Sequence, residues 1–389
     1  MPPQLNDVFV GRPTTIFAVM SALANEHGAI NLGQGFPDQD GPETLKKIAA
    51  EAIIKGPNQY APTMGMPELR QAVAVANRRF YDLDVDWETQ TLVTAGAAES
   101  LAAAFLGFLR PGDEAILFAP FYVSYAPMVE AAGATPVVLH LTPPDWRIDE
   151  KKLRAAITPK TKLIAINSPH NPTGQVITDS ELTLLAEVIR EHDLIAVCDE
   201  VYEHLIFDGL KHRPLMTLPD MTERCVRIGS AGKTCSMTGW RIGYATGPAH
   251  LIEAMAKTHQ FLSYTIQPHL QVAVAQGLGF EDSYYNDFVA DMQMTRDIMG
   301  DGLRRAGFNL SPAQGTYFLT VDIRDVGYDG VDMSFCKELI AKAGVAAVPI
   351  SSFYMEDDPN APKNFARFCF CKQPDVLREA SARLKKYFG

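Results

Sequence analysis

Residues 162–202 read KLIAINSPHNPTGQVITDSELTLLAEVIREHDLIAVCDEVY. Two apolar runs, Lys162–Asn167 and Leu194–Cys198, enclose a stretch of helical period. Apolar residues recur there at Leu182, Leu185, Ala186 and Ile189, which puts them on one face of a helix. Thr178 precedes Glu181 by three residues, a capping-box start that satisfies two orphan N–H groups reciprocally. Strand, helix, strand is the reading. The nearly continuous apolarity of each run predicts strands buried on both faces, as in a parallel sheet covered by helices.

The same alternation extends in both directions. Further strand runs are Thr91–Thr94, Glu114–Ala119, Pro136–His140 and Cys225–Gly229, and Pro42–Ile54 and Ala97–Leu109 have helical character. The predicted fold class is α/β, a mostly parallel sheet covered by helices. After about residue 285 the style changes. A long polar helix over Tyr285–Ala306 is followed by strands at Thr316–Asp322, Val345–Pro349 and Phe365–Phe370. A helix near Met333–Ala343 and a C-terminal amphipathic helix complete this part. The chain therefore divides into a large α/β domain over 41–285 and a smaller α+β domain over 286–389, of which the N-terminal segment 1–40 forms part.

Composition excludes several classes. Hydrophobic residues make up 47% and charged residues 21%, which is globular and neither disordered, collagenous nor coiled coil. Lys and Arg number 35 against 46 Asp and Glu, a net charge of −11 that argues against nucleic-acid and anionic-membrane partners. The longest apolar run, Leu101–Leu109, is about half the length of a membrane-spanning helix. The first residues, MPPQLNDVFVGR, have neither the charged nor the apolar region of a secretion signal. Six cysteines are too sparse for a disulfide scaffold, and no CxxC or HExxH occurs. Cys369 and Cys371 fall on one face of a strand with no histidine near, which favours packing over metal ligation. A cytoplasmic protein with no metal is expected.

Ligands of open α/β sheets bind beyond the carboxyl ends of the strands, where loops and helix N-termini converge. The residues following each run are therefore candidates. Gly96-Ala97-Ala98 opens a helix with small residues, suited to anion binding by backbone N–H groups. Pro120-Phe121-Tyr122 supplies aromatic faces, and Ser168–Gly174 contains Asn171. Asp199 and Tyr202 follow the next strand, and Ser230, Lys233 and Arg241 follow the last. An anion cradle, an aromatic face, an acid and a lysine together suit a phosphorylated aromatic cofactor held by a lysine imine. Pyridoxal phosphate asks for that set.

These motifs carry a resemblance. Ser230-x-x-Lys233-x-x-x-x-x-Gly239-Trp240-Arg241, with Asn171-Pro172-x-Gly174 and Asp199-x-x-Tyr202 before it, resembles the class I and II aminotransferases of pyridoxal phosphate fold type I. The likeness runs from Asn31–Asp38 to Arg367–Phe370 and is nearest to the kynurenine/glutamine, methionine and N-succinyldiaminopimelate aminotransferases. It implies a homodimer that moves the α-amino group of an L-amino acid to a 2-oxo acid with pyridoxal 5'-phosphate. Lys233 would be the Schiff-base lysine and general acid/base. Asp199 would pair with the pyridine nitrogen, Tyr202 and Asn171 would bond the ring oxygen, and Tyr122 would stack on the ring. Ala97, Ala98, Ser230 and Arg241 would surround the phosphate, with Tyr60 reaching it from a partner subunit. Arg367 and the Gly35 backbone would bind the substrate carboxylate, with Phe17 near its side chain. Ala97-Ala98 departs from the many relatives that carry Thr or Tyr there.

Each residue also has a blander reading. Lys233 alone would be a solvated lysine, Asp199 a turn residue, Tyr122 a core aromatic and Arg367 an ordinary edge-strand arginine. Ser230-x-x-Lys233 matches the nucleophile motif of penicillin-recognising hydrolases, but the Ser-Asp-Asn and Lys-Thr-Gly elements are missing. Gly33-Gln34-Gly35 lacks the third glycine of a dinucleotide loop, since Asp38 stands there. Within the same fold, a carbon–sulfur β-lyase acting on cysteine conjugates or cystathionine is the alternative.

Overall fold

The computed structural model describes residues 5–56, 58–310 and 313–389. The strand runs assemble into one seven-stranded sheet. Its members are β1 (Thr91–Thr94), β2 (Glu114–Ala119), β3 (Thr135–His140), β4 (Thr161–Asn167), β5 (Ile195–Asp199), β6 (Cys225–Ser230) and β7 (Gly243–Thr246). Their spatial order is β1-β7-β6-β5-β4-β2-β3. Only β7 runs against its neighbours; the ladders among β2 to β6 are parallel. The mostly parallel α/β architecture is as the sequence predicts. β7 itself escaped the sequence reading, because four residues beginning with glycine make no apolar run.

The boundaries follow local chemistry. Helix α1 (Ala97–Phe108) starts after β1, and α2 (Asp179–Glu191) starts at the reciprocal Thr178–Glu181 capping box. Leu182, Leu185, Ala186 and Ile189 are all buried on α2, as the periodicity requires. Pro136 lies in β3, at the sheet edge, where its missing N–H costs no interior ladder bond.

A three-stranded antiparallel sheet comprises β8 (Phe318–Asp322), β9 (Val348–Pro349) and β10 (Phe365–Cys369), with β10 in the middle. The single strand expected over Val345–Pro349 is in fact two short ladders. Val345–Ala346 pairs in parallel with Ile30–Asn31, and Val348–Pro349 pairs with β10. The expected helix near Met333–Ala343 runs as Asp332–Glu338 and then widens into a π-turn over Leu339–Ala343. The long helix α3 (Asp282–Arg305) and the C-terminal α4 (Pro374–Phe388) cover this sheet and share one core with Met20, Ala24 and Leu32 near the N-terminus. A separate core fills the space around the seven-stranded sheet. Among the described residues, no helix is long and apolar enough to cross a membrane.

Candidate active site

The carboxyl ends of β4, β5 and β6 and the start of α1 open onto one cavity of about 310 Å³, closed on the far side by Arg367 of β10 and by Phe17, Gly35 and Phe36. Its floor is set by backbone register. Asn167 ends β4 directly beside Asp199 at the end of β5. The Asn167 amide donates to the Asp199 carbonyl at 2.9 Å and accepts the Asn171 N–H at 2.8 Å. One side chain thus fixes the Ser168–Gly174 loop against the neighbouring strand.

Asp199 is 5% exposed, and burial pushes its carboxyl up to about 6. The Tyr125 hydroxyl donates to Asp199 Oδ2 at 2.5 Å and the Val201 N–H to Oδ1 at 3.3 Å. Those bonds and the Lys233 charge pull the other way, toward the anion. Lys233 sits on the one-turn helix Ala231–Thr234 immediately after β6. Its Nζ donates to Tyr317 Oη at 2.6 Å and to the Gly35 carbonyl at 3.3 Å. Burial pushes the amine down to about 8, against pull from the Cys371 and Cys369 thiols, and the Arg241 cation adds to the fall. The Tyr202 ring lies 5.5 Å from this amine, and burial raises its phenol.

At the other end of the cavity, α1 begins at Gly96 with no side-chain cap, leaving the N–H groups of its first turn unclaimed by a capping residue. Ala97, Ala98, Ser230 and Arg241 line the same end. The packing there leaves no room for side chains. A Cβ on Gly243 would stand 2.4 Å from Gly96 C and 2.5 Å from Ala97 N. Arg241 donates to the Thr238 carbonyl at 3.2 Å, which holds its guanidinium beside the helix start.

Arg367 is the most enclosed charge in the cavity wall, 1% exposed. Nη1 donates to Asn171 Oδ1 at 2.7 Å and Nη2 to the Gly33 carbonyl at 2.8 Å. The guanidinium lies 3.9 Å from the Phe318 ring centre, with Phe353 and Phe17 at 4.9 and 5.3 Å. Its Nε–H has no partner, and it forms no salt bridge among the described residues. Burial pushes it down to about 10. The edge-strand alternative therefore fails: β10 is the central strand and Arg367 is desolvated.

Twelve of the residues singled out in the sequence meet in this cavity, among them Tyr122 and Phe17. Tyr60 does not. It is 82% exposed and packs edge-on against Tyr264 at 5.4 Å, on the outside of the chain. Tyr125, Asn167, Tyr317 and Phe318 were missed. The first two lie within or just after the strand-end clusters. Tyr317 and Phe318 fall inside the strand predicted over Thr316–Asp322, Tyr317 just before β8 and Phe318 opening it, and a strand pattern alone does not mark either as a site residue. The Cys369 and Cys371 sulfurs lie 3.1 Å apart on one face, as alternation requires.

The sequence matches the family model for aminotransferase class I and II over residues 27–384. The chain belongs to the class I and II aminotransferases. It is 45% identical over 382 residues to a probable N-succinyldiaminopimelate aminotransferase of Mycobacterium tuberculosis, covering 95% of each chain. It is 39% identical to a methionine aminotransferase of Escherichia coli, covering 96% of each. The three-dimensional structure of N-succinyldiaminopimelate aminotransferase from Mycobacterium tuberculosis superposes with a TM-score of 0.95 at 44% identity, over 98% of this chain and all of that one. These relatives are aminotransferases by name, and none of them speaks for the carbon–sulfur lyase alternative.

Class I and II aminotransferases of this fold use pyridoxal phosphate, and the cavity fits that group on its own terms. The uncapped α1 turn with Arg241 makes a cationic cradle from which a Cβ on Gly243 is excluded. Asp199 offers a buried carboxylate, and Lys233 a depressed amine.

Proposed function

We propose that this aminotransferase moves the α-amino group of an L-amino acid with an apolar, sulfur-containing or aromatic side chain to a 2-oxo acid. The observation that carries this reading is Arg367, a buried guanidinium without a carboxylate partner in the same cavity wall as Lys233. Burying an unpaired charge costs several kcal/mol. An α-carboxylate, present on both donor and acceptor, would supply the missing counter-charge in a two-pronged geometry. The surrounding side chains Phe17, Phe36, Leu101 and Phe318 support the apolar preference.

Bound in the cavity, pyridoxal phosphate supplies an electron-withdrawing ring that stabilises negative charge at the substrate α-carbon. Lys233 would attach it and then, freed by the incoming amine, move the α-proton; an amine near 8 is partly neutral at working pH. Asp199 would face the ring nitrogen and hold it protonated. Asn171 gives its carbonyl to Arg367, which leaves its NH₂ group, together with the Tyr202 hydroxyl, to bond the ring oxygen. Tyr122 would stack on the ring, and Ala97, Ala98, Ser230 and Arg241 would hold the phosphate. Donor and acceptor would share Arg367 and the Gly35 backbone in turn, which is ping-pong kinetics.

The exposed Tyr60–Tyr264 pair, with Phe261 also exposed three residues before Tyr264, supports a homodimer in which Tyr60 reaches the partner's phosphate site. We read residues 41–285 as the cofactor-binding domain, 1–40 and 286–389 as the small domain, and the protein as cytoplasmic. The test is direct. Purified protein is expected to be yellow, to carry a borohydride-reducible adduct at Lys233, and to lose adduct and turnover together in Lys233→Ala. A Lys233→Ala variant that transaminates near the wild-type rate overturns the mechanism. Ammonia released in place of transferred amino group would instead favour elimination.

A further inference from the structure

Tyr317 precedes β8 and is 1% exposed. Its hydroxyl donates to the Gly35 carbonyl at 2.7 Å. With its one proton engaged there, the oxygen presents only lone pairs to Lys233 Nζ, 2.6 Å away. The same Gly35 carbonyl accepts a second bond from Lys233 at 3.3 Å, so amine, phenol and carbonyl close a triangle. The phenol cannot swing away. Its ring is held edge-on by Tyr202 at 5.1 Å and by Phe318 at 4.9 Å. Gly35 can come this close because it has no side chain: a Cβ there would stand 2.7 Å from Phe318 Cζ and 3.2 Å from Tyr317 Cε2. Burial raises the Tyr317 phenol well above its ordinary value, so it stays protonated throughout the working range.

We propose that Tyr317 and the Gly35 carbonyl form a dock that holds the free amine of Lys233 and aims its lone pair into the cavity. The proposal rests on the aminotransferase reading, in which Lys233 spends part of each cycle unattached. A neutral amine has two N–H groups and one lone pair. The two acceptors of the dock take both N–H groups, which leaves the lone pair as the single free site. When the substrate α-carbon–hydrogen bond breaks, its electron pair stays on carbon and the proton forms the amine's third N–H bond. That N–H occupies the direction the lone pair had, so the proton leaves along the line on which it arrived. Within the same half of the cycle that N–H breaks again as its proton passes to the carbon that takes over the amino group, which returns the amine to its neutral form. The second half runs both transfers in reverse and leaves a proton on the α-carbon derived from the 2-oxo acid. Tyr317 is a positioning residue, since it acts through Lys233.

Tyr317→Phe keeps the ring and both edge contacts and removes only the oxygen. Losing a hydrogen bond to a charged group is expected to lower kcat on the order of 10–100-fold. KM for the amino donor should stay within about twofold. The isotope effect with α-deuterated donor should rise, because proton transfer becomes more fully rate-limiting. A second readout uses the apoenzyme. Competitive acylation across pH, followed by mass spectrometry of the Lys233 peptide, gives the midpoint of that amine. Without the Tyr317 oxygen the ammonium form loses an acceptor, so the midpoint should move lower. Melting temperature, measured alongside, should be close to wild type. An unchanged kcat, isotope effect and acylation midpoint would reduce Tyr317 to packing and overturn the dock. Absence of transamination in the wild type would instead defeat the underlying reading, while the apoenzyme midpoint would still test the dock.

Discussion

Arg367→Ala is the perturbation on which the substrate assignment turns. A guanidinium has five N–H donors. Two are engaged, one by Asn171 and one by Gly33, which leaves three, including the unpartnered Nε–H, for a ligand. Removing one side of a buried charge pair costs about 2–5 kcal/mol, or roughly 30-fold to several thousand-fold in kcat/KM. Lysine should recover only part, because an ammonium cannot present two parallel donors and loses the stacking on Phe318. Stability should move less than kinetics. The substitution strands the Asn171 and Gly33 acceptors, but it also removes a desolvated cation that no carboxylate neutralises, and these contributions offset. The assay is steady-state kcat/KM for donor and acceptor, with cofactor occupancy followed by absorbance. It should be repeated with an amine donor that lacks the α-carboxylate. Wild type and variant should use that amine equally poorly, so the coupling between Arg367 and the carboxylate accounts for the loss. If kcat/KM changes by less than about threefold, or falls equally for the carboxylate-free amine, the substrate-binding role is refuted.

Gly243→Ala should weaken cofactor binding by about tenfold or more. Its Cβ would press on Gly96 and Ala97 at 2.4–2.5 Å and displace the first turn of α1, an overpacking of about 1–3 kcal/mol. Titration of apoenzyme with pyridoxal phosphate measures it, and an unchanged Kd would mean that this turn does not bind the phosphate. In the apoenzyme, Lys233 titrates near 8, against 10.5 for an ordinary lysine. The unfolded chain therefore binds more protons between those values, so stability rises with pH across that window. Lys233→Met apoenzyme should be more stable than wild type below pH 8, by about 1–3 kcal/mol, and the gap should close toward pH 10.5. Denaturant melts at several pH values test this, and a pH-independent gap would contradict the depressed amine. The enzyme should sediment as a dimer at assay concentration, and Tyr60→Ala should raise the cofactor Kd; a fully active monomer would remove Tyr60 from the site.

What the sequence disclosed and what it withheld divide along physical lines. Strands β2 to β6 were legible because each is buried on both faces, and the whole of that burial is written in its own run of residues. β7 was not, since its identity lies in its partners: Gly243 sits between Thr94 and Ser230, and the start of α1 packs where its side chain would be. Val345–Pro349 misled for the same reason, because an apolar run does not say that its halves pair with different strands. Asp199, Asn171, Ser230 and Lys233 were found by position alone, since a mostly parallel sheet places the residues after each strand at one edge. Asn167 could have been found by that rule, as the polar end of an apolar run.

Arg367, Gly35 and Phe17 lie beyond that rule, because they come from segments on the far side of the cavity and only family likeness pointed to them. The structure supplies the reason for Arg367 that the sequence lacked. On an edge strand a lone arginine reaches water and its charge costs little. On the central strand β10, under three aromatic rings, the same residue is a liability to the free fold unless something anionic completes it. Tyr317 shows the complementary limit. Its residue type gives no hint of function, and its value depends on which of its neighbours holds the phenol's proton. With Gly35 taking that proton, the oxygen can only accept, and the amine it accepts from is Lys233.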